Sequence, residues 1–165
     1  GSLAGSQGRA VAGRCPQGSA MKKELDELLC QRYPLIFADR RRSIKESCMG
    51  WGFSCGDGWF DLIDTLCERL QFWTDRNGAP QVVAQQVKEK FGTLCFYPRE
   101  ANQTQRGMIY MAEALSARIC DQCGRPGQTL VHEHWHMTRC AEHAPVGAIT
   151  QAAFIAQRKV PGIAP

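Results

Sequence analysis

The apolar positions change their period several times along the chain, and each change marks an element. From Met21, residues Leu25, Leu28 and Leu29 fall on one helical face with Glu24, Asp26 and Glu27 between them, and Tyr33-Pro34 ends the pattern, which predicts a helix over 22–32. The clearest stripe is Trp59, Leu62, Ile63, Leu66, Cys67 and Leu70, a helix over 58–72 with Asp57 placed to cap its first turn. Asn77-Gly78-Ala79-Pro80 is turn chemistry. After Gln81 the period becomes two: Val83, Gln85, Val87 and Glu89 alternate with Val82, Ala84, Gln86 and Lys88. Phe91-Gly92 and the β-formers Thr93 to Tyr97 follow, bounded by Pro98. This predicts a β-hairpin over 81–97, with Gly92 supplying the turn dihedral. Met108, Met111, Ala112, Leu115 and Ile119 restore helical spacing over 103–119, a helix running into Cys120.

Between these elements, Cys48 to Trp59 alternates glycines with Trp51, Phe53 and Trp59, an ordered loop or short strand near 50–55 held by its rings. Thr129 to Met137 alternates as an addition to the sheet, and the sixteen residues from Gly124 to Arg139 are long enough to go out and return as a short ribbon. The sum is α+β: a single small domain of amphipathic helices with a small antiparallel sheet and, where Cys120, Cys123, Cys140 and His143 have the spacing of metal ligands, a C-terminal zinc knuckle. A chain of 165 residues with 44% hydrophobic content supports one core that buries roughly two thirds of its unfolded surface. Residues 1–20, glycine-rich and without an acidic side chain, have the composition of a disordered, expression-derived leader; 21–143 form the domain, and 144–165 a partly helical tail around Ile149 to Gln157.

Charge says little about partners. The formal net charge is +4, and setting aside Arg9 and Arg14 leaves +2 for residues 21–165, too little to imply nucleic acid. Nine cysteines without an export signal fit a reducing cytoplasm, and no apolar run approaches the roughly 18 residues of a membrane span. The strongest chemistry is Cys120-Asp-Gln-Cys123-Gly124, answered by Cys140-Ala-Glu-His143. Two thiols three residues apart, a glycine for the turn, and a Cys/His pair at the same spacing form a ligand set for one tetrahedral zinc ion. With four protein ligands the site is structural, having no open position for water.

Other groups compete for a functional role. His132, His134 and His136, if extended, put three imidazoles on one strand face, a second metal site with a hydrolytic water. Asp61, Asp64 and Glu68 form an acidic stripe that could serve a metal-dependent hydrolase or nuclease; it is also simply the polar face an amphipathic helix needs. Arg40, Arg41, Arg42 and Lys45 make the densest basic cluster. Lys88, Lys90 and Arg99 flank Phe91 and Tyr97, where a phosphate backbone could lie; edge-strand lysines also guard against sheet pairing. Cys48 and Cys55 could pair as a disulfide or as half of another zinc site, whereas Cys30, Cys67 and Cys95 suit buried small hydrophobes.

Several of these segments occur together. Cys55-Gly-Asp57-Gly-Trp59, Val87-Lys88-Glu-Lys90-Phe91-Gly92 through Phe96-Tyr97, Ala112-Glu113 with Ser116, Cys120-x-x-Cys123-Gly124 and Thr138-x-Cys140-x-x-His143 resemble a family of small uncharacterised proteins of bacteriophages and prophages. The likeness covers about residues 48 to 143. It implies a phage-related origin and a bacterial cytoplasm, and carries no activity and no catalytic residue. The expected function is therefore a zinc-stabilised, non-enzymatic accessory protein that binds a macromolecule of host or phage.

Overall fold

The computed structural model describes residues 20–158, so the expectations for a leader over 1–19 and for the end of the tail lie outside the described residues. Helix α1 (Lys23–Arg32) buries Leu29 fully and Asp26 almost fully. Asp26 is held by Arg40, whose Nε and Nη2 reach its two carboxylate oxygens at 2.9 and 3.0 Å. Short 3₁₀ turns at Ala38–Arg41 and Cys48–Trp51 lead to β1 (Phe53–Ser54) and a third turn at Asp57–Trp59. Then comes α2 (Phe60–Asn77), longer than its apolar stripe predicts and ended by Gly78 in a left-handed conformation.

Asp57 does not cap α2, which has no side-chain cap. Its Oδ1 instead accepts the backbone N–H of Lys22, the residue that precedes α1, at 2.8 Å from 35 residues away, and so ties the start of α1 to the turn before α2.

Strands β2 (Val83–Lys90) and β3 (Thr93–Arg99) form the expected hairpin, and the turn places Phe91 at φ 51° and Gly92 at φ 83°. Strict alternation fails at one point: the register shifts between Ala84 and Gln86, so Val82, Ala84 and Val87 all face the core. β1 pairs in parallel with β2, placing β2 at the centre of a mixed sheet ordered β1-β2-β3. Helix α3 (Gln103–Ser116) begins with a capping box between Asn102 and Gln105. Its buried face is Gln105, Ile109, Ala112 and Ser116; of the stripe expected of it, Ala112 is buried and Met108 and Ile119 pack against the core, but Met111 is 60% and Leu115 43% exposed.

α3 turns its polar groups on the outer edge of β3. Ser116 Oγ accepts the Leu94 N–H at 2.8 Å and Glu113 Oε1 accepts that of Phe96 at 2.9 Å, removing two free donors from an open sheet edge. Gln105, fully buried, donates to Thr74 Oγ1 and the Pro80 carbonyl and ties α3 to the end of α2.

A second sheet, ordered β5-β4-β6, is built from β4 (Gln128–His132), β5 (Trp135–Arg139) and β6 (Ile149–Thr150), after which α4 (Gln151–Arg158) ends the described chain. The described residues thus form an α+β fold of four α-helices and two three-stranded sheets. No helix among the described residues is long and apolar enough to cross a membrane.

Candidate metal centre

Residues 117–127 fold back on themselves after α3. The Cys120 N–H donates to the Arg125 carbonyl, Gly124 N–H to the Cys120 carbonyl and Gly127 N–H to Arg118, so the first pair of thiols is presented on a tight loop. The second pair arrives from the end of β5, with His143 N–H bonded to the Cys140 carbonyl at 3.1 Å. Asp121 N–H donates to the Thr138 carbonyl and fixes one arm against the other. Outside, Arg125 and Glu142 close a two-point ion pair between the arms, the kind of planar match a guanidinium makes best with a carboxylate.

The result brings one donor atom from each of Cys120, Cys123, Cys140 and His143 within 4.8 Å of the others. Cys123 Sγ and Cys140 Sγ are 3.7 Å apart, and His143 Nδ1 lies 3.6 Å from Cys120 Sγ and 3.3 Å from Cys140 Sγ. Zinc bond lengths at tetrahedral angles require edges of roughly 3.8 Å between sulfurs and about 3.5 Å between sulfur and nitrogen. The donor set therefore fits a metal ion, and three sulfurs with an imidazole suit zinc.

The surroundings of Cys123 favour the thiolate form a metal needs. The Arg125 backbone N–H, then its guanidinium, bring the Cys123 thiol down to about 6. Burial pushes Cys120 up, against backbone N–H groups of Cys140, Gln122 and Cys123 that favour its ionised state.

The Gly-Asp-Gly-Trp segment is the seat of this knuckle. Gly58 N–H donates to the Asp121 carbonyl at 2.8 Å, and Trp59 Nε1 to that of Ile119 at 2.8 Å. A Cβ at Gly58 would stand 2.2 Å from the Cys120 carbonyl oxygen and 2.6 Å from Gly124 N, so only glycine permits the approach. On the other side of the knuckle, the buried Thr138 Oγ1 donates to the Gly92 carbonyl at 2.6 Å, joining the second sheet to the tip of the first hairpin.

The rival sites are dispersed. His132 ends β4, His134 sits in a two-residue turn at φ 70° beside Glu133 at φ 48°, and His136 lies on β5, so an extended three-histidine face does not form. The apolar alternation here belongs to two short strands with a tight turn between them. His136 instead meets the rings of Phe91 and Phe154 at 5.9 and 5.6 Å. Asp64 accepts hydrogen bonds from Arg32 and Tyr33, Glu68 pairs with Arg69, and Asp61 is exposed; the acidic stripe is structural and solvated. Among the described residues, the three-cysteine, one-histidine group is the only cluster arranged to hold a metal.

The basic residues divide in the same way. Arg40 is spent on Asp26, and Arg42 and Arg99 on the buried Asp39. Arg41 and Lys45 are exposed. Lys88 lies over the Tyr97 ring at 5.6 Å and Lys90 over Phe91 at 5.8 Å. Cys48 is an exposed free thiol and Cys55 a buried one, with no bond between them. Phe154 and Arg158 escaped the periodicity because α4 is short; an aromatic and a cation four residues apart was the available signal. Comparison with known protein families, curated proteins and solved structures gives no match, so the functional argument rests on these residues.

Proposed function

We propose that this chain is a non-enzymatic binding module, a phage-related accessory protein of the bacterial cytoplasm in which one structural zinc ion steadies a surface for a macromolecular partner. The observation that carries the reading is the closed donor set: four protein atoms within 4.8 Å of one another supply all four corners of a tetrahedral ion. Cys120, Cys123, Cys140 and His143 would hold the metal. What it supplies there is a cross-link between two arms of the chain, with no corner for a water nucleophile or a substrate. The combined segments from Cys55 to His143 that resemble phage and prophage proteins support the origin.

The test is elemental analysis of the full chain after dialysis, paired with circular dichroism of Cys123→Ser and Cys140→Ser. One zinc per chain is expected, lost in both variants together with order in the knuckle. A chain without metal, or variants that lose it while melting like the parent, would overturn the structural role. A second, exchangeable metal accompanied by cleavage of nucleic acid would overturn the non-enzymatic one.

A further inference from the structure

The solvent face of the first sheet and the tip of its hairpin form one continuous track. Lys88 and Lys90 alternate with Val87 and Glu89 along β2, so they share the face turned from the core, and Lys88 stands opposite Cys95 of β3, two residues from Tyr97. The Lys88 ammonium lies over Tyr97 and that of Lys90 over Phe91; Phe91 meets His136, His136 meets Phe154, and the Arg158 guanidinium lies 5.2 Å over Phe154. Three ring–cation pairs, Tyr97 with Lys88, Phe91 with Lys90 and Phe154 with Arg158, are thus set from β3 across the hairpin tip to α4, with His136 between the last two rings. The hairpin's acids lie off this track: Glu89 alternates onto the Val87 face, where it accepts the Gly92 N–H, and Glu100 follows the end of β3.

Two features set this surface apart from ordinary solvated charge. β2 is the central strand of its sheet, so Lys88 is not guarding an open edge against aggregation. Phe91 is 70% exposed and occupies a left-handed turn position at φ 51°, where asparagine, aspartate or glycine costs less. An exposed ring held in an unfavourable backbone conformation adds little to the core and leaves most of its surface to solvent.

Building on the binding-module reading, we infer that the partner is single-stranded nucleic acid, its bases stacking on Tyr97, Phe91 and Phe154 and its phosphates paired with Lys88, Lys90 and Arg158. Planar faces interleaved with cations match a chain that itself alternates bases with phosphates; a duplex keeps its base faces covered, and an acidic peptide has no planar groups to stack. Sequence readout is absent from such a surface, so binding depends on strand and salt rather than on base order.

The experiment uses the zinc-loaded full chain and a fluorescein-labelled oligothymidylate of about 15 nucleotides, a length matched to single-strand sites. Anisotropy titrations should weaken with salt at a log–log slope of about −2, as expected for three phosphate contacts, and Lys90→Gln should reduce the slope by about 0.7. Tyr97→Ala should weaken binding about tenfold. Phe91→Asn is the deciding variant: affinity falls about tenfold while the thermal midpoint stays level or rises, because asparagine tolerates the left-handed turn. Arg41→Gln, off the track, should change nothing. Duplex or polyglutamate binding as tight as the single strand, or unchanged affinity in Phe91→Asn, would overturn the inference. Zinc present without oligonucleotide binding would defeat the nucleic-acid surface alone; absence of zinc would defeat the structural-zinc reading, whatever the oligonucleotide result.

Discussion

Two halves of one small domain are held together by different physics. The continuous apolar cluster runs from Met21 through Leu29, Trp59, Ile63, Leu70, Val87 and Phe96 to Ala112, and none of its buried members comes from β4, β5 or β6. The knuckle half buries Leu130 and Val131 among the described residues but depends otherwise on backbone hydrogen bonds, Thr138, the Arg125–Glu142 pair and four metal-type ligands. Burial of large side chains is divisible, since each contributes about 1.5–3 kcal/mol and the loss of one leaves the others. A single ion joined by four ligands, as proposed for the knuckle, is not divisible. The first half should soften gradually under mutation and the second should fail at once.

The largest effect expected is therefore metal removal. Chelation, or Cys140→Ser, should abolish amide protection across β4 and β5 while α2 and β2 keep most of theirs; native-state hydrogen exchange followed by mass spectrometry reads the two halves separately. Uniform loss of protection across the whole chain would erase the distinction drawn here. The reciprocal change is Ile63→Ala, which empties a fully buried position in α2 and should cost about 2–5 kcal/mol in denaturant unfolding while zinc affinity in the folded protein stays close to that of the parent.

The same division explains what could be read from the chain. Cys120, Cys123, Cys140 and His143 were legible because ligand spacing is local chemistry, and the α2 stripe because Trp59, Ile63, Leu66 and Leu70 are apolar and buried at once. The face of α3 was not, since two of its four buried positions, Gln105 and Ser116, are polar residues whose partners come from α2, the following turn and β3. The bulge beside Gln85 inverts the alternation of β2 without any glycine or proline to announce it. The three histidines read as one strand face because neither Glu133 nor His134 carries the usual turn signature. For α3 and β2 the deciding partners lie on other elements, beyond the reach of periodicity, whereas the histidine turn is local and lacks only its usual residues.

Gly58→Ala tests the seam where the halves meet. Its new methyl would press on the carbonyl of a cysteine ligand, and backbone on one side must move, so a loss of about 1–3 kcal/mol is expected, with zinc competition by a chromophoric chelator weakened in parallel. Unchanged zinc affinity beside lowered stability would place the strain wholly in the apolar half and make the seam a passive contact.

The smallest effect concerns a side-chain hydrogen bond that joins the second sheet to the hairpin turn of the first. Thr138 is fully buried, and its hydroxyl donates to the Gly92 carbonyl at 2.6 Å and lies 3.1 Å from Thr129 Oγ1. Thr138→Val keeps shape and volume but leaves that carbonyl without its donor, a cost of about 1–2 kcal/mol. If the knuckle is a unit fastened to the hairpin tip at this point, exchange should quicken at the Phe91-Gly92 turn and along β5 together, with α2 unaffected. Quickening on β5 alone would mean that the tip is held by Phe91 set edge-on to His136, and that the ring contact, not the hydroxyl, couples the two sheets.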